Sequence, residues 1–113
     1  GVAGIVVSHH HGMIDYSCPP LMVLPDILKV TAGEIPVFAD CGFSSGMDVY
    51  KALALGASAV SVGRHLMPLL KKGCYAVSDR IDSMTAELAG VMARTGVSDL
   101  SHFDPSVIHF RNF

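Results

Sequence analysis

Three short apolar runs, each closing on a polar residue or a glycine, constrain this 113-residue chain more than any other feature. They are Ile5-Val6-Val7, Pro36-Val37-Phe38-Ala39 and Ala59-Val60-Ser61-Val62. Each follows a small turn element: Gly1-Val2-Ala3-Gly4, Gly33-Glu34-Ile35-Pro36 and Gly56-Ala57-Ser58. Short β-branched or aromatic runs bounded in this way read as fully buried parallel strands. Helix-like stretches lie between them. The first covers about Leu21 to Ala32 and closes at Gly33, with Pro25 marking a kink or a later start. The second, Met47 to Leu55, sets Val49, Ala52 and Leu53 on one face and stops at Gly56. The third, about Tyr75 to Thr95, carries Val77, Ile81, Met84, Leu88, Val91 and Met92 at spacings of three or four, an amphipathic stripe that Gly96 closes. In the tail from Val97 onward, Phe103, Val107, Ile108 and Phe110 are the residues expected to pack back onto the body.

The order is β-α-β-α-β-α. Strand starts recur after roughly 32 and then 23 residues, compatible with the repeat of an eight-unit β/α barrel of about 250 residues. Three strands cannot close such a barrel, and a flavodoxin-like or Rossmann half has the same order. The length gives room for one small domain. Half the residues are apolar and only 16% are charged, so some apolar surface is expected to belong against something else. The chain starts at Gly1 inside an apolar run, without Met, which suggests a fragment.

Composition also narrows the function. Formal net charge is −2 and no basic stripe appears, so nucleic-acid binding has no electrostatic support. No apolar run approaches membrane-spanning length, and no signal-peptide pattern is present. Cys18, Cys41 and Cys74 are odd in number, far apart and without a CxxC pair. They read as reduced thiols in the cytoplasm, with neither a disulfide frame nor a metal site.

In parallel β/α folds, functional groups gather at the C-terminal ends of the strands. Here those ends are Ser8-His9-His10-His11-Gly12, Asp40-Cys41-Gly42-Phe43-Ser44-Ser45-Gly46 and Gly63-Arg64-His65. The second leads through Gly42 and Gly46 into a helix. Glycines let a backbone approach an anion, and N–H groups at a helix start favour phosphate. Ser44 and Ser45 offer hydroxyl donors, and Arg64 offers a fork suited to bidentate binding. Taken singly the glycines read as turns; with Gly63-Arg64 at the matching place, phosphate is the better reading. Of the three histidines, one general base with two structural neighbours is preferred, since consecutive side chains cannot all point one way.

These strand ends, together with the stretch GMDVYKALALGASAVSVGR from Gly46 to Arg64, resemble the FMN-dependent α-hydroxy-acid oxidases and dehydrogenases. Lys51-Ala52-Leu53-Ala54-Leu55-Gly56-Ala57 is the most specific part. The resemblance covers nearly the whole chain and implies that residues 1–113 are a partial domain: strands six to eight of a TIM (β/α)8 barrel plus the C-terminal helix. It implies an oxidoreductase, a flavoprotein that oxidises a 2-hydroxy acid to a 2-oxo acid with FMN as cofactor. His10 would be the base and Asp40 would orient it and face the cofactor. Ser8 would contact the flavin; Gly42, Phe43 and Ser44 would lie along the phosphate and ribityl chain; Gly63 and Arg64 would grip the phosphate. Several positions depart from the family. Met13 stands where an arginine clamps the substrate carboxylate, Ser44-Ser45 replace paired arginines, His9 replaces an asparagine, and Cys41 replaces a glycine. The expectation is a fragment inactive alone, completed by the missing N-terminal part of the barrel. The alternatives are a non-catalytic FMN or phosphate-binding remnant and a self-associating partial barrel.

Overall fold

Three parallel strands form one sheet in chain order: β1 (Ile5–Val7), β2 (Val37–Ala39) and β3 (Ala59–Val60). The computed structural model describes residues 1–111; the last two residues of the tail lie outside it. Val6 pairs with Phe38, and Phe38 with Ala59. Two further bonds, Asp40 N–H to the Val7 carbonyl and Ser61 N–H to the Ala39 carbonyl, extend the ladder just beyond the strands. Helix α1 (Pro20–Thr31) crosses from β1 to β2 and helix α2 (Gly46–Leu55) from β2 to β3. Helices α3 (Met67–Leu70) and α4 (Cys74–Thr95) follow, and then a 3-10 turn at Pro105–Val107. None of the described helices is long and apolar enough to cross a membrane.

The strands bury one face rather than both. Val7, Val37 and Ala39 pack with Leu24, Phe43, Ala52 and Ala57 beneath α1 and α2. On the opposite face Val6 is 58% exposed and Phe38 36% exposed. Alternating side chains point to opposite faces of a strand, and the described helices cover only one of them. The expectation of fully buried strands is corrected accordingly.

Helix α1 begins at Pro20, so Pro25 lies inside it and is neither its start nor its end. Proline there removes one N–H from the helical ladder, and Leu24, fully buried, holds the turn against the sheet. Ala32, with φ at +49°, caps the helix before Gly33. Helix α2 has neighbours on two sides. Ala52 faces the sheet cluster, while Tyr50 and Ala54 face α4 through Val91, Leu88 and Met92. Its fully buried side chains are thus Tyr50, Ala52 and Ala54, with Val49 and Leu53 only half-buried. The Tyr50 hydroxyl donates to Thr95 Oγ1 at 2.8 Å, and its ring meets Phe103 edge-on at 5.4 Å.

The stripe along α4 is as the spacing predicts at Met84, Leu88, Val91 and Met92, but Ile81 stays exposed. Phe103 and Ile108 from the tail join the α2–α4 cluster; Val107 and Phe110 remain exposed.

Candidate functional site

The three strand ends converge on a cavity of about 530 Å³, lined by His10, His11, Met13, Asp40, Cys41, Gly42, Phe43, Ser44, Ser61, Gly63, Arg64 and His65. Most of the residues singled out in the sequence are therefore brought together. Of the residues given a catalytic or cofactor role, Ser8 is the exception. It does not line the cavity; its Oγ accepts from the His10 N–H at 3.2 Å and stands 3.4 Å from Cys41 Sγ. It thus joins the loop after β1 to the loop after β2.

Both loops turn through left-handed backbone. His10, His11 and Gly12 follow one another at φ +51°, +53° and +80°, and Cys41 and Gly42 at +65° and +89°. For a residue with a Cβ this conformation costs about 1–2 kcal/mol, so three of these five positions are strained. The turn divides the histidines. His9 is half-buried, with an Nδ1 that is buried and has no hydrogen-bond partner among the described residues, while His10 and His11 are exposed. The rings of His9 and His11 meet edge-on at 6.0 Å.

Asp40 is half-buried, and its Oδ1 lacks a hydrogen-bond partner among the described residues. Burial raises its pKa, but the Ser8 hydroxyl, the Cys41 thiol and the charges of His10 and His11 outweigh that and hold it below the ordinary carboxylate value. No hydrogen bond joins Asp40 to His10 among the described residues, so a direct tether between them is absent here and the two communicate through space. The reason is local: His10 leaves the strand through the left-handed turn and stays exposed, whereas Asp40 sits half-buried beside Ser8 and Cys41.

At the other end of the cavity, the open helix start expected from the sequence is already occupied from within. The Gly46 N–H at the head of α2 donates to Glu87 Oε2 at 2.8 Å, and the Asp48 N–H donates to Ser45 Oγ at 3.1 Å. The N–H and hydroxyl of Ser44 both donate to Asp48 Oδ2, at 3.1 and 3.2 Å. Burial raises the Asp48 pKa, but these hydrogen bonds and Lys51 bring it below its usual value. Carboxylates at a helix N-terminus complement its dipole, and two are supplied here by the chain itself. Ser44 thus lines the cavity with its hydroxyl engaged elsewhere, and Ser45 serves as the helix cap. Gly46 has a packing role: a Cβ built there would lie 2.4 Å from the backbone of Met84 and of Leu88 on α4.

What remains for an anion is Gly42, Gly63 and Arg64. A Cβ built on either glycine meets nothing within 4 Å, so the backbone there is open to a ligand. Arg64 is exposed and forms no ion pair among the described residues. Phe43 lines the cavity while its side chain is buried in the core. This donor set suits the phosphate end of a cofactor such as FMN. Met13, which also lines the cavity, is 81% exposed and brings no charge.

Two residues had no role assigned from the sequence. His65, named there only as the close of the third strand end, lines the cavity, and Arg80 on α4 bonds to His65. Arg80 donates from Nε to His65 Nε2 at 2.7 Å and from Nη2 to the Ser44 carbonyl. Adjacency to Arg64 was a usable signal for His65; nothing local marks Arg80.

Comparison with known proteins bears on the whole chain. The family model described as FMN-dependent dehydrogenase matches residues 1–110. A peroxisomal (S)-2-hydroxyacid oxidase of Arabidopsis thaliana is 45% identical over 98 residues, which are 85% of this chain and 27% of that protein. Glycolate oxidase of Spinacia oleracea is 39% identical over 110 residues, 96% of this chain and 30% of that protein. A solved structure of a mandelate oxidase mutant with a monooxide FMN adduct superposes with a TM-score of 0.84 at 38% identity, covering 89% of this chain and 33% of the other. The chain spans less than a third of the length of the curated relatives it matches.

Proposed function

The chain belongs to the FMN-dependent dehydrogenase family, and from that premise we propose that residues 1–113 form units six to eight of a (β/α)8 barrel that oxidises a 2-hydroxy acid to a 2-oxo acid. The observation that carries this reading is the cavity at the three strand ends, which His10, Asp40, Gly42, Gly63 and Arg64 all line. The uncovered sheet face supports it further. Val6 and Phe38 stand exposed on that face, and β1 and β3 each have one unpaired edge among the described residues. Covering such side chains contributes about 1.5–3 kcal/mol each, and the remaining barrel strands would do so while removing both edges. A second copy of the chain is the alternative cover.

In this reading, Arg64 and the backbone N–H groups of Gly42 and Gly63 hold the phosphate of FMN, with Phe43 and Ser44 fixing the loop between them. When bound, FMN supplies the two-electron acceptor. An imidazole nitrogen of His10 takes the proton of the substrate. Asp40, ionised at neutral pH, stabilises the resulting imidazolium through space rather than by a hydrogen bond. Ser8 acts on His10 through the backbone N–H it accepts from, and its direct contact with the flavin belongs to the complete barrel.

Met13 favours a second reading, phosphate binding without turnover. An arginine at that position would give a 2-hydroxy acid a charge-assisted bidentate contact, and methionine offers none. In both readings the isolated chain binds FMN weakly and does not turn over. The test is thermal melting of the purified chain with excess FMN. A bound ligand raises the midpoint by mass action, and Arg64→Ala is expected to abolish the rise. An unchanged midpoint in the native chain contradicts both readings. For location we retain the cytoplasm, on the three separated thiols; cell fractionation decides between it and the compartment in the Arabidopsis relative's name.

A further inference from the structure

We infer that Arg80 is a positioning residue for the anion end of the cavity: it ties the loop after β2 to the loop after β3 and fixes the tautomer in which His65 offers a ring N–H beside Arg64. This rests on the phosphate reading above. Arg80 lies on α4, 36 residues from Ser44, yet its Nη2 donates to the Ser44 carbonyl. Its Nε donates to His65 Nε2 at 2.7 Å. A guanidinium has donors and no acceptor. His65 Nε2 must then be the unprotonated nitrogen, and the single proton of a neutral imidazole sits on Nδ1.

That leaves Nδ1–H as the donor His65 has to offer, and His65 lines the cavity with Gly63 and Arg64. A neutral N–H next to a guanidinium adds a hydrogen bond to an oxyanion without adding another charge. The loop after β2 does not provide this donor itself, because the Ser44 hydroxyl is engaged by Asp48. Arg80 and His65 together supply it from the neighbouring elements. The ligand chemistry is that of a phosphate monoester, which FMN and inorganic phosphate share in part.

The direct test is nitrogen-15 NMR of the imidazole in the full chain without ligand. His65 is expected to show a protonated Nδ1 and a pyridine-like Nε2, and Arg80→Met is expected to move it toward the Nε2–H form. A wild type already in the Nε2–H form, or a tautomer that Arg80→Met leaves unchanged, overturns the inference. The second measurement is affinity for FMN and for inorganic phosphate. His65→Asn, whose amide nitrogen stands near the place of Nδ1, should retain affinity within about twofold. His65→Leu and Arg80→Met should each lose about tenfold. Equal affinity in all variants overturns the role assigned to His65. A wild type that takes up neither probe defeats the phosphate reading, while the tautomer measurement still decides what Arg80 does to His65.

Discussion

The Glu87 carboxylate on α4 accepts a hydrogen bond from the backbone N–H of Gly46, the first residue of α2, at 2.8 Å. The two residues are 41 positions apart. The contact neutralises the helix start that faces the strand-end loops, and it places α4 where Arg80 can reach Ser44 and His65.

Removing that carboxylate should loosen the two helices. Glu87→Ala is expected to cost about 1 kcal/mol, the typical worth of one such hydrogen bond. Glu87→Gln, which keeps an acceptor oxygen, should cost less. Urea denaturation measures this: the midpoint falls for alanine while the slope stays constant.

Gly46 is expected to be much less tolerant. A methyl group there lands 2.4 Å from the Met84 carbonyl oxygen and the Leu88 nitrogen, both backbone atoms that a side-chain rotation cannot move. Gly46→Ala should therefore destabilise by about 3 kcal/mol, at the upper end of ordinary overpacking. A melting midpoint equal to that of the native chain would show that α2 and α4 are less closely packed than described.

Cys41→Gly should act in the opposite direction. Relief of the left-handed strain at φ +65° is worth about 1–2 kcal/mol, and the extra freedom of glycine in the unfolded chain offsets about 0.5–1 kcal/mol of it. The net gain is between about 0 and 1.5 kcal/mol, visible as a small rise in melting temperature. The Ser8–Cys41 contact is lost in the same variant, so a fall would mean that this contact outweighs the strain.

Acid should weaken the fold through Asp40 and Asp48. Both carboxyls have folded pKa values below the ordinary 3.8. A depressed folded pKa contributes stability that is present above the unfolded value and is lost as pH falls through the folded one. Stability is thus expected to be level above about pH 5 and to decline below about pH 4. Asp48→Asn should flatten part of that decline, and denaturant midpoints measured across this range check it.

Much of this architecture is legible in the chain. Ile5–Val7, the helix ending at Gly56 and the stripe from Met84 to Met92 follow from local period and from glycines that only a turn or cap requires. Pro25 misleads because a proline inside a helix is tolerated once Leu24 is anchored in the core. The run at Val37–Ala39 shows that a strand is apolar, not which of its faces is covered; Phe38 depends on elements elsewhere. The cavity residues His10, Asp40, Gly42, Gly63 and Arg64 were visible because strand ends in this kind of fold face the same way. Glu87 and Arg80 were not. Each acts across more than thirty positions, and nothing in a helical stripe distinguishes a solvated charge from one that closes a distant loop.

A phosphate grip formed by Arg64, Gly63 and Gly42 predicts that this chain distinguishes FMN from riboflavin. The two differ only in the phosphate group. Titration of the purified chain, followed by flavin fluorescence, should show FMN binding at least about tenfold more tightly than riboflavin, the difference one charge-assisted contact provides. Arg64→Ala should remove that difference. Equal affinity for the two flavins, or a preference that survives Arg64→Ala, would contradict the account.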